Sequence, residues 1–273
     1  MSSILTNTSA MVALQNLKAI NMDLSKTQNE ISTGKSISSA SDNASMWAIS
    51  KVMEADVAGF SAISKSLALG ESTVAVAAAG AEKIVDILKE IKGKVVAATG
   101  ANVDHSKIKS DVKALKDQIT SIIGAAQFNG MNLLNTAGGN LEVLSSLNRT
   151  SSAVTAAKIT VNSVDFEAGL DLTGVDVTDK TTAGTLLPKI EALIKTAIEG
   201  AAALGSSKGH IEDQQKFVSK LVDAMKSGIG ALVDANMEEA SARLQALQVQ
   251  QQLGTQSLSI ANKAPQTILQ LFK

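Results

Sequence analysis

LQALQVQQQLGTQSLSIAN, residues Leu244–Asn262, runs nineteen residues without a charge, and its reading decides the fold. With the residues just upstream, Met237, Ala240, Leu244, Leu247, Gln251, Gly254, Leu258 and Ala261 fall alternately three and four apart. That spacing draws one narrow seam down the side of a helix, as in a coiled coil. The stretch is long enough to suggest a membrane span, but Gln245, Gln248, Gln250, Gln251, Gln252 and Gln256 lie within it. Burying six amides in lipid is prohibitive, so the seam wants protein partners and no membrane insertion is expected.

The front of the chain is built alike. No charge precedes Lys18, and Leu14, Leu17, Asn21, Leu24, Gln28 and Ile31 repeat the three-and-four alternation. Ends of one character imply helices lying side by side. Their seams are too polar and too rich in small residues to hold two helices firmly, so each end wants further partners. The seam amides Asn21, Gln28 and Gln251 either set the register between helices or face solvent or a wet channel; the sequence leaves both open.

Composition narrows the rest. A chain of 273 residues can bury a sizeable core in one or two domains, but aromatics are only 2 % and tyrosine is absent. A β-sandwich packed on large rings is therefore disfavoured. The formal charge is −1 and Arg149 and Arg243 are the only arginines, which leaves no basic face for nucleic acid. Absent cysteine removes disulfides, thiolate metal sites and thiol nucleophiles together. Lys18, as the first charge, supplies no positive leader region, so export by a cleaved signal is not expected.

Helices are expected at about 4–32, 43–98 and 104–127, from about 183 through Ile229, and at about 235–270. Ser41 or Asp42 is the expected N-cap of the second, Pro188 suits the first turn of the fourth, Gly205–Gly209 is a candidate break, and Pro265 should kink or end the last. Asn129-Gly130 and Gly138-Gly139-Asn140 are turn signals, and short strands are expected near 141–144, 157–161 and 170–177. The fold class is mainly α: an elongated antiparallel helical bundle with coiled-coil ends paired, plus a small β-hairpin-rich insertion. Three regions follow: 1–42 with 235–273 as a terminal coiled-coil core with its connector, 43–139 with 180–234 as an outer helical core, and 140–179 as a β-rich surface insertion.

The connector carries a resemblance. Asn16-Leu17 and the run from Ile31-Ser32-Thr33-Gly34-Lys35 through Ala40-Ser41-Asp42-Asn43-Ala44 resemble the N-terminal signature of bacterial flagellins. Phe128-Asn129-Gly130 with Leu133-Leu134 is similar to the turn closing that family's N-terminal half. Gln248–Gln252, Gly254, Ala261-Asn262, Pro265-Gln266 and Ile268–Lys273 resemble its C-terminal signature. The resemblance implies a self-polymerising subunit of the extracellular flagellar filament. It implies terminal helices forming an inner tube round a channel, middle helices an outer tube, and an insertion facing solvent. The implied partners are further copies of the chain, a flagellar type III export apparatus with a secretion chaperone, the filament cap and hook-associated proteins. The polymerisation seam is then Leu14, Leu17, Asn21, Leu24, Gln28, Ile31, Leu244, Leu247, Gln251, Leu258 and Ala261.

One departure from the family stands on the second helix. Where many flagellins carry an Arg-Glu-Leu patch read by vertebrate toll-like receptors, this chain has Glu90, Gly93 and Lys94, which implies weak or absent recognition. No catalytic, cofactor-binding or metal-binding residue is assigned. His105 and His210 stand alone, Trp47 reads as packing near the connector, and the scattered methionines suit gap filling. A hook–filament junction protein shares the terminal helices, and a soluble helical signalling module is the alternative from another class; an enzyme is the weakest candidate.

Overall fold

The computed structural model describes residues 7–150 and 153–271, with side chains described through residue 263. Six helices and four strands follow in order: α1 (Thr8–Thr33), α2 (Ala44–Ala98), α3 (His105–Ala125), β1 (Gln127–Phe128), β2 (Met131–Asn132), β3 (Leu141–Arg149), β4 (Val154–Val161), α4 (Phe166–Gly169), α5 (Lys180–Val233) and α6 (Met237–Leu271). They divide into two compact units, Met1–Ala55 with Ala224–Lys273 and Asp56–Asp223. Both α2 and α5 contribute to each.

The terminal unit pairs α1 with α6. Asn7 caps α1 by accepting from the Ala10 amide at 3.0 Å; the expected start at residue 4 lies outside the described residues. Gly34 closes the helix in the left-handed region at φ 68°, where a Cβ would be strained. Asn236 caps α6, accepting from Glu238 N at 3.1 Å, and the two glutamates of the first turn oppose the helix dipole. α6 stays helical through Leu271, so Pro265 does not end it.

The outer unit, Asp56–Asp223, holds the core. Leu67, Val74, Ile84, Leu88 and Ile91 of α2 are fully buried with Ile119 of α3 and Ile190, Leu204 and Ile211 of α5. Asn129 and Gly130 both take positive φ, 50° and 82°, giving the two-residue β1–β2 turn that the Asn-Gly pair predicts. The antiparallel hairpin β3–β4 carries a bulge between Leu144 and Ser146. It lies against α2 at two glycines: a Cβ on Gly59 would sit 2.5 Å from Leu147, and one on Gly70 would sit 2.5 Å from Val143. Gly80 likewise faces Leu134 and Ala126. These glycines let neighbours approach closely. Gln214 of α5 donates to the Ser145 carbonyl at 2.8 Å, at the bulge in mid-strand, and Arg149 pairs with Asp56 at the turn end of the hairpin.

Several expectations are corrected. No strand forms at 170–177. Asp171 accepts from Thr173 N, and Val175 N bonds the Leu172 carbonyl, so the segment folds into a turn. Its alternating Val175 and Val177 are buried, with Lys116 of α3 donating to the Val175 carbonyl at 3.2 Å. α5 starts at Lys180, because Asp179 accepts from Thr181 and Thr182; Pro188 therefore lies two turns inside. No break occurs at Gly205–Gly209. The cap of α2 is Asn43, which accepts from Met46 N at 3.2 Å, and neither Ser41 nor Asp42. The single-turn α4 was not foreseen: Asp165 caps it and Phe166 inserts beside Gly200.

Candidate assembly interface

The α1–α6 pair is antiparallel, as its contacts show. Asn7 Nδ2 donates to the Ala261 carbonyl at 2.8 Å, a Cβ on Gly254 would meet Leu17 at 3.1 Å, and Gln251 Nε2 donates to Asn21 Oδ1 at 2.6 Å. Residue numbers rise on one helix as they fall on the other. On α6 the covered side is Ala240, Leu244, Leu247, Gln251, Gly254, Leu258 and Ala261. Met237 of the same row is 44 % exposed.

On α1 the covered side is Ala10, Ala13, Leu17, Ile20, Leu24, Thr27 and Ile31. That is also a three-and-four alternation, but it shares only Leu17, Leu24 and Ile31 with the row expected from sequence. Leu14, Asn21 and Gln28 are exposed on the flank. The physical reason is the partner: Gly254 leaves room for Leu17 and Ile20 together, so the helix turns Ile20 inward and Leu14 outward. Thr27 is buried here, a polar residue that a search for large apolar side chains passes over.

Large apolar side chains remain outside this pairing. Met11, Val12, Leu14 and Met22 on α1, and Val249, Leu253 and Ile260 on α6, are each more than half exposed. A groove of about 490 Å³ opens beside Met11, Leu14 and Lys18. Exposed apolar side chains in rows rather than singly mark contact surfaces.

The connector ties both ends of the chain. Ser36 N donates to the Val233 carbonyl at 2.8 Å and Ala235 N to the Gly34 carbonyl at 2.9 Å, around an antiparallel bridge of Lys35 and Asp234. Asp42 gathers the serine run by accepting from Ser39 N at 2.9 Å, Ser38 N at 3.1 Å and both hydroxyls. These bonds, the Ser39 amide foremost, hold its carboxyl below the usual range. Lys51 and Lys35 both reach Glu54, and the Lys51 hydrogen bond chiefly lowers that carboxyl. In the outer unit, Glu90 and Gly93 are exposed, while Lys94 is drawn to Asp111 of α3 at 2.7 Å, which raises its pKa. His105 sits with Nε2 2.9 Å from the Ala98 carbonyl, at the turn between α2 and α3.

Two family descriptions match this chain: the bacterial flagellin N-terminal helical region over residues 4–138, and the bacterial flagellin C-terminal helical region over residues 187–272. The chain belongs to the bacterial flagellin family. A flagellin of Brucella melitensis is 44 % identical with both chains covered in full. Flagellin FljM of Caulobacter vibrioides is 38 % identical over all of this chain and 99 % of its own. Among solved structures, Bacillus cereus flagellin aligns with a TM-score of 0.50 at 21 % identity, covering 56 % of this chain and 88 % of that one. A Vibrio parahaemolyticus protein described as a putative flagellar hook-associated protein aligns at 0.55 and 14 % identity, over 71 % and 100 %. These structural likenesses concern the fold. The protein is thus a structural subunit of the extracellular flagellar filament, and no helix among the described residues is long and apolar enough to cross a membrane.

Proposed function

We propose that this flagellin polymerises through its paired ends, the α1–α6 unit forming the inner wall of the filament, 43–139 with 180–234 its outer wall, and 140–179 the solvent-facing surface. The observation that carries this is the imbalance of the terminal unit. Among its described residues only Val233, Ala240 and Leu247 are buried apolar side chains, while eleven large ones are exposed. Ordering each residue costs about 1–2 kcal/mol in backbone entropy, against about 1.5–3 kcal/mol for a large side chain fully buried. Neighbouring copies supply the burial that is missing, so the ends are unstructured in the monomer and become helical on assembly. Charge-poor, weakly folding ends also suit passage as an unfolded chain through the flagellar type III apparatus, with a secretion chaperone before export and the cap and hook-associated proteins after it.

Hydrogen exchange tests the reading. Amides of α1 and α6 should exchange freely in dilute monomer and be protected in filaments grown on seeds, with growth checked by negative-stain microscopy. Full protection in the monomer would contradict it, as would normal filaments from a chain lacking either helix. Glu90, Gly93 and Lys94 support a second proposal: with no arginine at that patch and Lys94 engaged by Asp111, toll-like receptor signalling in a reporter cell is weak or absent.

A further inference from the structure

Scattered along the sequence, the methionines gather in one part of the fold. All of the eight except Met131 fall in residues 1–55 or 224–273, the terminal unit, which is well under half of the chain. Met11, Met22, Met46 and Met237 are exposed there, Met11 and Met22 most of all at 64 % each, whereas Met131 of β2 is half-buried. With no cysteine, methionine is the only sulfur the chain offers an oxidant. Met11 and Met22 stand eleven residues apart, three helical turns and about 20°, so both side chains share one stripe of α1 about 16 Å long. Neither belongs to the α6-facing side of that helix. At Met11 the stripe is apolar, its groove shared with Val12 and Leu14. At Met22 it is rich in donors: Lys18 and Lys26 lie one turn before and after, and a cleft of about 350 Å³ joins Met22 to Lys26, Ser25 and Ser36.

We propose that Met11 and Met22 are sites of reversible oxidation by hydrogen peroxide, and that their sulfoxides block assembly of the terminal unit. This rests on the polymerisation reading above and adds a regulation to it. The thioether sulfur attacks one peroxide oxygen, the O–O bond breaks, the sulfur gives up two electrons, and the second oxygen leaves as water. The product carries a strong hydrogen-bond acceptor where an apolar sulfur stood. In the monomer that acceptor is met by water, and at Met22 also by the ammonium groups of Lys18 and Lys26. Covered by a neighbouring copy, the Met11 groove offers it only the alkyl groups of Val12 and Leu14, and a stripped acceptor is costly. Leucine fills nearly the same volume and is inert to peroxide, so the thioether is what brings the sensitivity. Sulfoxide reductases, one for each configuration at sulfur, restore the original side chain.

In the test, full-length monomer is treated with hydrogen peroxide, each methionine's sulfoxide content is measured by peptide mass spectrometry, and the chain is grown on untreated seeds. Met11 and Met22 should oxidise ahead of Met131. The monomer left at the end of growth should rise about tenfold, the loss that one poorly paired buried polar group brings to a contact. Treatment with both sulfoxide reductases should restore growth. The double variant Met11→Leu with Met22→Leu should grow after peroxide as it does before. Normal growth of wild-type chain with both sulfurs oxidised would overturn the inference, leaving the filament reading intact, and so would an equal loss of growth by the double variant. Should leucine itself impair growth, the reductase arm decides: growth that returns while Met11 and Met22 stay oxidised overturns it. Failure of the untreated wild-type chain to grow would remove the filament reading as well.

Discussion

Leu88 and Leu14 are both leucines on long helices of one chain. Leu88 is fully buried in the outer unit, whereas Leu14 is 57 % exposed in the terminal unit. The contrast extends to whole regions. The outer unit stacks branched side chains of α2, α3 and α5 into a closed core, while α1 and α6 cover one narrow seam and leave seven large apolar side chains more than half exposed. On the proposed reading the two regions divide the labour: one supplies stability to the single molecule and the other reserves its burial for neighbours.

The strongest way to break that contrast is to make the same truncation in both. Leu88→Ala should lower the monomer's unfolding free energy in urea by about 2–5 kcal/mol, the cost of lost transfer energy plus a cavity. Leu247→Ala, although buried in the terminal seam, should shift the same transition by no more than about 0.5 kcal/mol. Its effect should fall on filament growth, seen as a higher monomer concentration left at the end of seeded assembly. Equal losses in urea would show that the ends are folded before they meet neighbours.

A pair of glycines on α2 sharpens the comparison within the outer unit. A Cβ at Gly70 would lie 2.5 Å from Val143 Cγ2, so Gly70→Ala must push the hairpin off the helix. Overpacking of about 1–3 kcal/mol outweighs the gain of about 1 kcal/mol from replacing a helical glycine. Gly93 has nothing within 4 Å, so Gly93→Ala should keep that gain and raise stability by up to about 1 kcal/mol. Thermal or urea unfolding of the two variants should move in opposite directions.

How much of this could be read from sequence depends on where the deciding information lies. The α6 packing row followed from spacing alone, because Leu244, Leu247 and Leu258 admit one register. On α1 two registers compete. Leu14, Asn21 and Gln28 alternate with Leu17, Leu24 and Ile31 as well as Ala13, Ile20 and Thr27 do, and only the space at Gly254 on the other helix chooses. That choice is not local, so one helix cannot reveal it. The same holds for Val175 and Val177, whose alternation looks like a strand but has no strand beside it, only α3. Phe166 was likewise unreadable, since its short helix is placed by a glycine on α5. Turn chemistry was legible at Asn129-Gly130, where the conformation belongs to the residues themselves.

The smallest effects concern two exposed carboxylates, one in each unit. Asp171 is held down to about 2 from 3.8, first by the Lys189 hydrogen bond and then by Thr173. A carboxyl with a depressed folded pKa favours the folded form above its unfolded value and loses that preference as pH falls through the folded one. Its contribution should therefore fade between about pH 4 and pH 2, and Asp171→Asn should flatten that part of the monomer's melting-temperature profile. Asp42 is also depressed, mainly by the Ser39 amide, so the sign is the same: stabilising above 3.8 and fading as acid protonates it. Asp42 organises a connector of the terminal unit, however, and on the proposed reading that unit becomes ordered only among neighbours. Asp42→Asn should leave the monomer's acid profile unchanged and alter only the acid disassembly of filaments, followed by light scattering. A monomer profile that responds equally to both substitutions would erase the distinction between the two regions.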